Sequence, residues 1–261
     1  FRLPPSPPAR RTNMAQPSAN ILSAAILAAG IAAAAWTLGS QFPKLRDTGS
    51  ITVKGLAEAE YQAATGTWRI GVSTWGQSYA DALAENKAQL QKVRQFLEGQ
   101  GFTDAELALG DADVSAHEER YTDEHGREQT RKNGYDAERH YTVSTKNLAG
   151  LEAAVQAVQQ LRAKNDAVTF DRPKYYLDDL ENIKRTLISK ATQDAYVRAE
   201  EFAKTGSLKV GAMQSASQGS FDIQAAVPSD DDNSDYGGGY DTTTIRKKVR
   251  LVVTIQYRIG G

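Results

Sequence analysis

Apolar and polar positions along residues 51–259 switch repeatedly between a two-residue and a 3.6-residue period, the marks of strand and helix. Ile51 and Val53 open a first strand that Gly55 is expected to close. Trp68, Ile70, Val72 and Thr74 then alternate with Arg69, Gly71 and Ser73, which predicts a half-buried strand. Ser78 followed three residues later by Asp81 resembles a capping box. Leu83, Leu90, Val93 and Leu97 recur on one face of the helix that follows, and Gly99 and Gly101 are expected to end it.

Two strands come next, Val114–Tyr121 and Tyr135–Thr145, joined by a polar connection around Gly126. Asn147 is the expected N-cap of a helix whose stripe is Leu148, Leu151, Val155 and Val158. Val168 and Phe170 mark a strand stopped near Pro173. The longest helix starts at Asp178 and Glu181, carries Ile183, Leu187, Ala191 and Phe202 along a stripe, and is expected to end on Gly206. A strand from Met213 to Phe221 precedes an acidic, glycine-rich stretch at 228–241 that reads as a mobile loop. The last strand alternates most cleanly. Ile245, Val249, Leu251, Val253, Ile255, Tyr257 and Ile259 share one face, interrupted by Lys247, while Arg246, Lys248, Arg250 and Arg258 share the other. One packed and one wet face is the pattern of an antiparallel sheet, so the fold class is α+β, antiparallel sheets with helices packed on one face.

One segment stands outside this alternation. Ile21 to Leu38 runs uncharged for eighteen residues, about 27 Å as a helix and close to the hydrocarbon thickness of a bilayer. It is expected to be a single transmembrane or signal helix preceding the α+β domain. A retained anchor has Trp36 near the headgroups; a cleaved signal peptide would be cut near Ala32–Ala35. The resulting organisation is a disordered N-terminal segment at 1–20, the anchor or signal peptide at 21–38, a linker at 39–49 and the folded domain at 50–261.

Composition changes the picture mainly by exclusion. With 31 basic and 32 acidic residues the formal charge is −1, so no global field draws in nucleic acid, and none is expected as a partner. The absence of cysteine closes the thiol and disulfide routes. No serine lies in a G-x-S-x-G elbow, and the glycine run at 237–239 lacks the strand and helix of a phosphate cradle.

Three candidate chemistries deserve weighing. His117 and His140, facing each other across the hairpin with Glu119 or Glu138, would offer a transition metal one or two ligands per face, so solvent-exposed histidines are expected, not a metal site. Asp231, Asn233 and Asp235 echo a calcium loop, but Tyr236 replaces its glycine and Thr242 its glutamate. Arg246, Lys247, Lys248 and Arg250, set against Asp230, Asp231 and Asp232, make the strongest local charge contrast. They read either as the solubilising face of an edge strand or as a complementary patch, the acidic loop of one subunit meeting the basic strand of another. No catalytic residue, cofactor or metal is predicted.

Four separated blocks carry a resemblance: ITVKGLAEAEYQA at 51–63, FLEGQGF at 96–102, residues 174–223 beginning KYYLDDLENIKRTL, and KKVRLVVTIQYRI at 247–259. In that order they resemble the SIMPL-domain family, in its bacterial branch with an N-terminal hydrophobic anchor. The resemblance implies an envelope protein of α+β architecture without an established enzymatic activity. Its relatives are associated with oxidative-stress defence and oligomeric assembly. The expectation is a non-enzymatic homo-oligomeric scaffold or binding module. It would be held in the bacterial inner membrane by one N-terminal helix, with the soluble domain in the periplasm, or secreted there after cleavage. The alternative is a ligand- or metal-binding stress protein. The sequence does not identify a protein partner.

Overall fold

The computed structural model describes residues 26–37, 49–227 and 239–260. A helix at 26–37 (α1) is followed by strands Gly49–Gln62 (β1) and Thr65–Gly76 (β2), helix Tyr79–Gly99 (α2), and strands Leu107–Leu109 (β3), Asp113–Thr122 (β4) and Glu128–Thr145 (β5). Helix Leu148–Lys164 (α3), strands Val168–Phe170 (β6) and Lys174–Tyr176 (β7), helix Leu180–Thr205 (α4), and strands Lys209–Ala225 (β8) and Arg246–Gly260 (β9) complete the described chain. The architecture is α+β with antiparallel sheets. Two compact units arise: a larger one of Val53–Arg198 with Ser215–Ile255, and a smaller one of Ala199–Gln214 with the described parts of Phe1–Thr52 and Gln256–Gly261.

In the larger unit a six-stranded sheet is built on one long antiparallel pair, β2 with β5, running from Gly66 opposite Thr145 to Gly76 opposite Tyr135. β6 and β7 pair in succession with β2, while β3 and β4 pair in succession with β5. The two-residue alternation of β2 puts Trp68, Ile70 and Val72 into the core with Tyr141 and Val143 of β5. Leu90, Val93 and Leu97 of α2 and Leu151, Ala154 and Val158 of α3 pack on that same face. Each such side chain contributes about 1.5–3 kcal/mol through removal from water, so this layer supplies most of the unit's cohesion. Trp68 also satisfies its one polar atom, donating Nε1–H to the Asp171 carbonyl at 2.9 Å.

The helix ends follow local chemistry. Ser78 and Asp81 form the reciprocal capping box of α2, and Gly101, at φ +90°, turns the chain out of it. The Asn147 side chain accepts the Gly150 N–H at 3.0 Å and caps α3. At the end of α4 the left-handed residue is Ser207 (φ 56°), not Gly206, and Leu208 N–H closes on the Ala203 carbonyl.

The second sheet has three strands in the order β1-β9-β8. Gly55 does not close β1; the strand runs seven residues beyond it. Its lack of a side chain serves packing, since a Cβ there would lie 2.7 Å from Ala195 N and 2.8 Å from Ala195 Cβ and would strike the Ala191 carbonyl. Leu187, Ala191 and Ala195, four residues apart on α4, form the small-residue ridge that rides over this glycine. Phe202, expected on the same stripe, is 63% exposed. A period of four from Leu187 passes through Ala199 and Ala203 instead.

The largest departure from expectation is the hairpin. Its connection shrinks to a short turn in which Gly126 N–H meets the Asp123 carbonyl, and residues 128–134 belong to β5. From 117 to 132 the two strands form an exposed ribbon, pairing Glu118 with Lys132 and Thr122 with Glu128 after a register shift between Ala116 and Glu118. Both its faces are wet, so no hydrophobic alternation announces it.

The apolar segment Ile21–Leu38 is described over 26–37 alone, with Ile26, Leu27, Ile31 and Trp36 exposed. Among the described residues no helix is long and apolar enough to cross a membrane. The remainder of that segment, the leading residues 1–20, the linker up to residue 48 and most of the acidic loop lie outside the described residues.

Candidate functional site

The strand alternation of β9 divides the expected basic patch. Arg246, Lys248 and Arg250 lie on one face and are paired within the chain: Arg246 with Glu60 at 2.8 Å, Lys248 with Glu58 at 2.7 Å and Arg250 with Glu58 at 3.5 Å. Their acidic partners come from the neighbouring strand β1. Asp230, Asp231 and Asp232, set against them in the sequence reading, lie outside the described residues. Exposed cross-strand pairs of this kind are worth about 0.2–1 kcal/mol each.

Lys247 faces the other way. Its side chain is fully buried, its Nζ lies 2.5 Å from the Asp241 backbone carbonyl and 3.3 Å from Asp241 Oδ2, and the Tyr240 ring lies 5.8 Å away. The Asp241 carboxylate also accepts from Thr243 N–H (2.8 Å), Thr243 Oγ1 (2.7 Å) and Thr244 Oγ1 (2.5 Å). Burial pushes the Asp241 carboxyl up, but the hydroxyls and amide of Thr244 and Thr243, together with the Lys247 charge, outweigh it and hold the group at about 2. Burial pushes the Lys247 ammonium down against the pull of Asp241.

This cluster is anchored on three sides. Ile223 of β8 donates to Gly239 O and accepts from Asp241 N–H, Tyr175 N–H reaches Thr242 O, and Leu177 N–H reaches the Tyr240 hydroxyl. These bonds tie the segment 239–247 to β7, β8 and β9, and the arrangement acts as a structural lock. The sequence reading missed it; the signal is an aspartate followed by three threonines, a pattern suited to local side-chain turns.

The histidines do not face each other. His140 sits opposite Gly71 of β2 with its Nδ1 3.3 Å from an Arg69 nitrogen, whereas His117 lies at the β4 register shift with Nδ1 2.7 Å from Asp136 Oδ2. The strand Glu138 belongs to pairs it with Asp113, so the hairpin offset carries the two rings to different strand pairs. Among the described residues no group of three or more potential metal ligands converges. The calcium-like Asp231, Asn233 and Asp235 lie outside them.

A concavity of about 710 Å³ opens on the three-stranded sheet and is lined by Lys54, Leu56, Arg198, Asp222, Arg250 and Thr254 among others. Arg198 is held by Asp194 at 2.8 Å, and the buried Nε of Arg250 meets Glu58 at 3.5 Å. Three cations against one carboxylate give its lining a cationic balance.

The profile of one protein family matches residues 51–257, which take in nearly all of both sheets and the helices α2 to α4. Its description reads SIMPL, protein of unknown function (DUF541). A search of curated proteins finds no match to the chain.

Proposed function

The chain belongs to the SIMPL family, and from that premise we propose that it is a non-enzymatic scaffold or binding module that works by self-association. The observation that carries this reading is the amount of extended β structure left open. The β4–β5 ribbon over 117–132 is largely exposed, apart from half-buried His117, Glu119 and Asp123, and the strand β8 is exposed over 211–220, a form of surface suited to recognising protein. The most perturbed carboxylate, Asp241, is by contrast fully engaged in holding the fold together.

The proposed setting is the bacterial envelope, with the α+β domain on the periplasmic side. Ile21–Leu38 would serve as a single-pass inner-membrane anchor or as a signal peptide removed on export, and the proposed role lies in oxidative-stress defence. The apolar run of Ile21–Leu38 supports export. Sedimentation of the full chain in a mild non-ionic detergent tests the association: a concentration-dependent species larger than the monomer is expected at micromolar protein. A monomer throughout that range would end the scaffold reading.

A second reading has one observation in its favour, the cationic concavity of Lys54, Arg198 and Arg250. A stress protein binding a small anionic ligand would use it. Calorimetric titration with inorganic phosphate and with citrate, heat-silent at millimolar ligand, would remove that alternative.

A further inference from the structure

β8 is the odd strand of this fold. It is among the longest, Lys209–Ala225, and it lies at the edge of the three-stranded sheet. From Val210 to Phe221 it carries no charge and no proline. Natural edge strands are normally blunted by charge, proline, shortness or a covering element, because an open edge is a template for another strand. The opposite edge of the same sheet is treated in that way. On β1, Leu56 N–H is taken by Asp194 of α4 at 2.8 Å, and Lys54, Glu58 and Glu60 line the strand. The outer side of β8 is paired at its C-terminal end, where Ile223 bonds with Gly239 and Asp241. Ahead of that, residues 216–220 are all exposed, and no strand of the described residues pairs with them on that side.

We propose that the outer edge of β8, centred on 216–220, pairs antiparallel with the same strand of a second copy of this chain. The proposal rests on the self-association reading above and names its surface. Two features select a second copy over another partner. The segment is neutral, so a two-fold axis through it brings no like charges together. Ala216, Ser217, Gly219 and Ser220 are small, so two such strands reach the roughly 4.8 Å spacing of a sheet without clash. Isologous pairing joins two three-stranded sheets into one of six and leaves neither β8 edge open.

The natural chain contains no cysteine, which makes the test clean. In the full chain in mild detergent, Gln218→Cys is expected to give a disulfide-linked dimer on mild oxidation, and Ala88→Cys on the exposed side of α2 is not. Gln218→Glu and Gln218→Lys are each expected to raise the dimer dissociation constant at least tenfold, and a one-to-one mixture of the two is expected to restore it. Restoration on mixing requires folded protein, so misfolding cannot mimic it. If both charged variants assemble within twofold of the natural chain, the edge proposal fails while the scaffold reading stands. If the natural chain itself is monomeric, both fail. A Gln218→Cys thiol protected from small alkylating reagents in a monomer would mean that the chain covers its own edge, and that too overturns the proposal.

Discussion

Lys247 and Asp241 form a buried ion pair on the packed face of β9, with the lysine side chain wholly shielded and its Nζ bonded to both the backbone carbonyl and the carboxylate of one residue. A lysine in an otherwise apolar alternation is tolerated here because its partner arrives from the turn just before the strand.

Breaking that pair from one side leaves an uncompensated buried charge, at a cost of about 3–5 kcal/mol. Asp241→Ala is therefore expected to lower the urea midpoint by that equivalent. Asp241→Ala combined with Lys247→Met should recover most of the loss. A double variant no more stable than Asp241→Ala alone would show that the pair is not the reason for the loss.

Acid sensitivity follows from the same carboxylate. Its folded value of about 2 lies below the ordinary 3.8, so the folded state binds the proton less readily than the unfolded chain. The stability it supplies, about 2 kcal/mol, is complete above pH ~4 and is lost as pH falls toward 2. Unfolding free energies from pH 6 down to 2 should show this limb in the natural chain and a flatter one in Asp241→Ala.

Gly55 should be among the least replaceable residues of the three-stranded sheet. Gly55→Val pushes a side chain into the backbone of α4 at Ala191 and Ala195, and a cost of about 3 kcal/mol or more is expected, at or beyond the usual range for overpacking. Gly99→Ala, with open space around the added methyl at the end of α2, should be neutral or stabilising by about 0.5 kcal/mol. Equal effects of the two on the denaturation midpoint would refute the packing explanation.

The ribbon should be nearly independent of the fold. Arg131 and Glu119 meet at 2.9 Å but are 61% and 40% exposed, so Glu119→Ala is expected to change stability by less than about 0.5 kcal/mol. Replacing 118–132 by a two-residue Asn-Gly turn should leave near-ultraviolet circular dichroism of the core aromatics unchanged. Trp68→Ala, in contrast, empties the centre of the six-stranded sheet and strands the Asp171 carbonyl, at about 3–5 kcal/mol.

Much of this architecture was legible because burial leaves a period. The alternation at 68–74, the capping box at Ser78 and Asp81, the Asn147 cap and the stripes of α2 and α3 register buried faces, and each element is present, except that Leu83, expected on the α2 stripe, is exposed and Ala82 and Asn86 are buried in its place. β3 and β7, three residues each, are too short to show a period, and the exposed ribbon has no buried face to show one. The expected charge patch shows the same limit. Four basic residues adjacent in sequence are split by the pleat, three to the wet side with Glu58 and Glu60 and one to the interior with Asp241.

By itself the sequence determined the α+β class, the order of the main elements, the neutral overall charge and the family, because these depend on local period, composition and ordered motifs. The tertiary structure alone decided which charges neutralise which, why Gly55 is a glycine, that the histidines lie apart, and that one edge of the small sheet is capped while residues 216–220 on the other meet no strand among the described residues. Those are relations between residues distant along the chain, and pairing register and helix placement, which no local pattern encodes, bring them together.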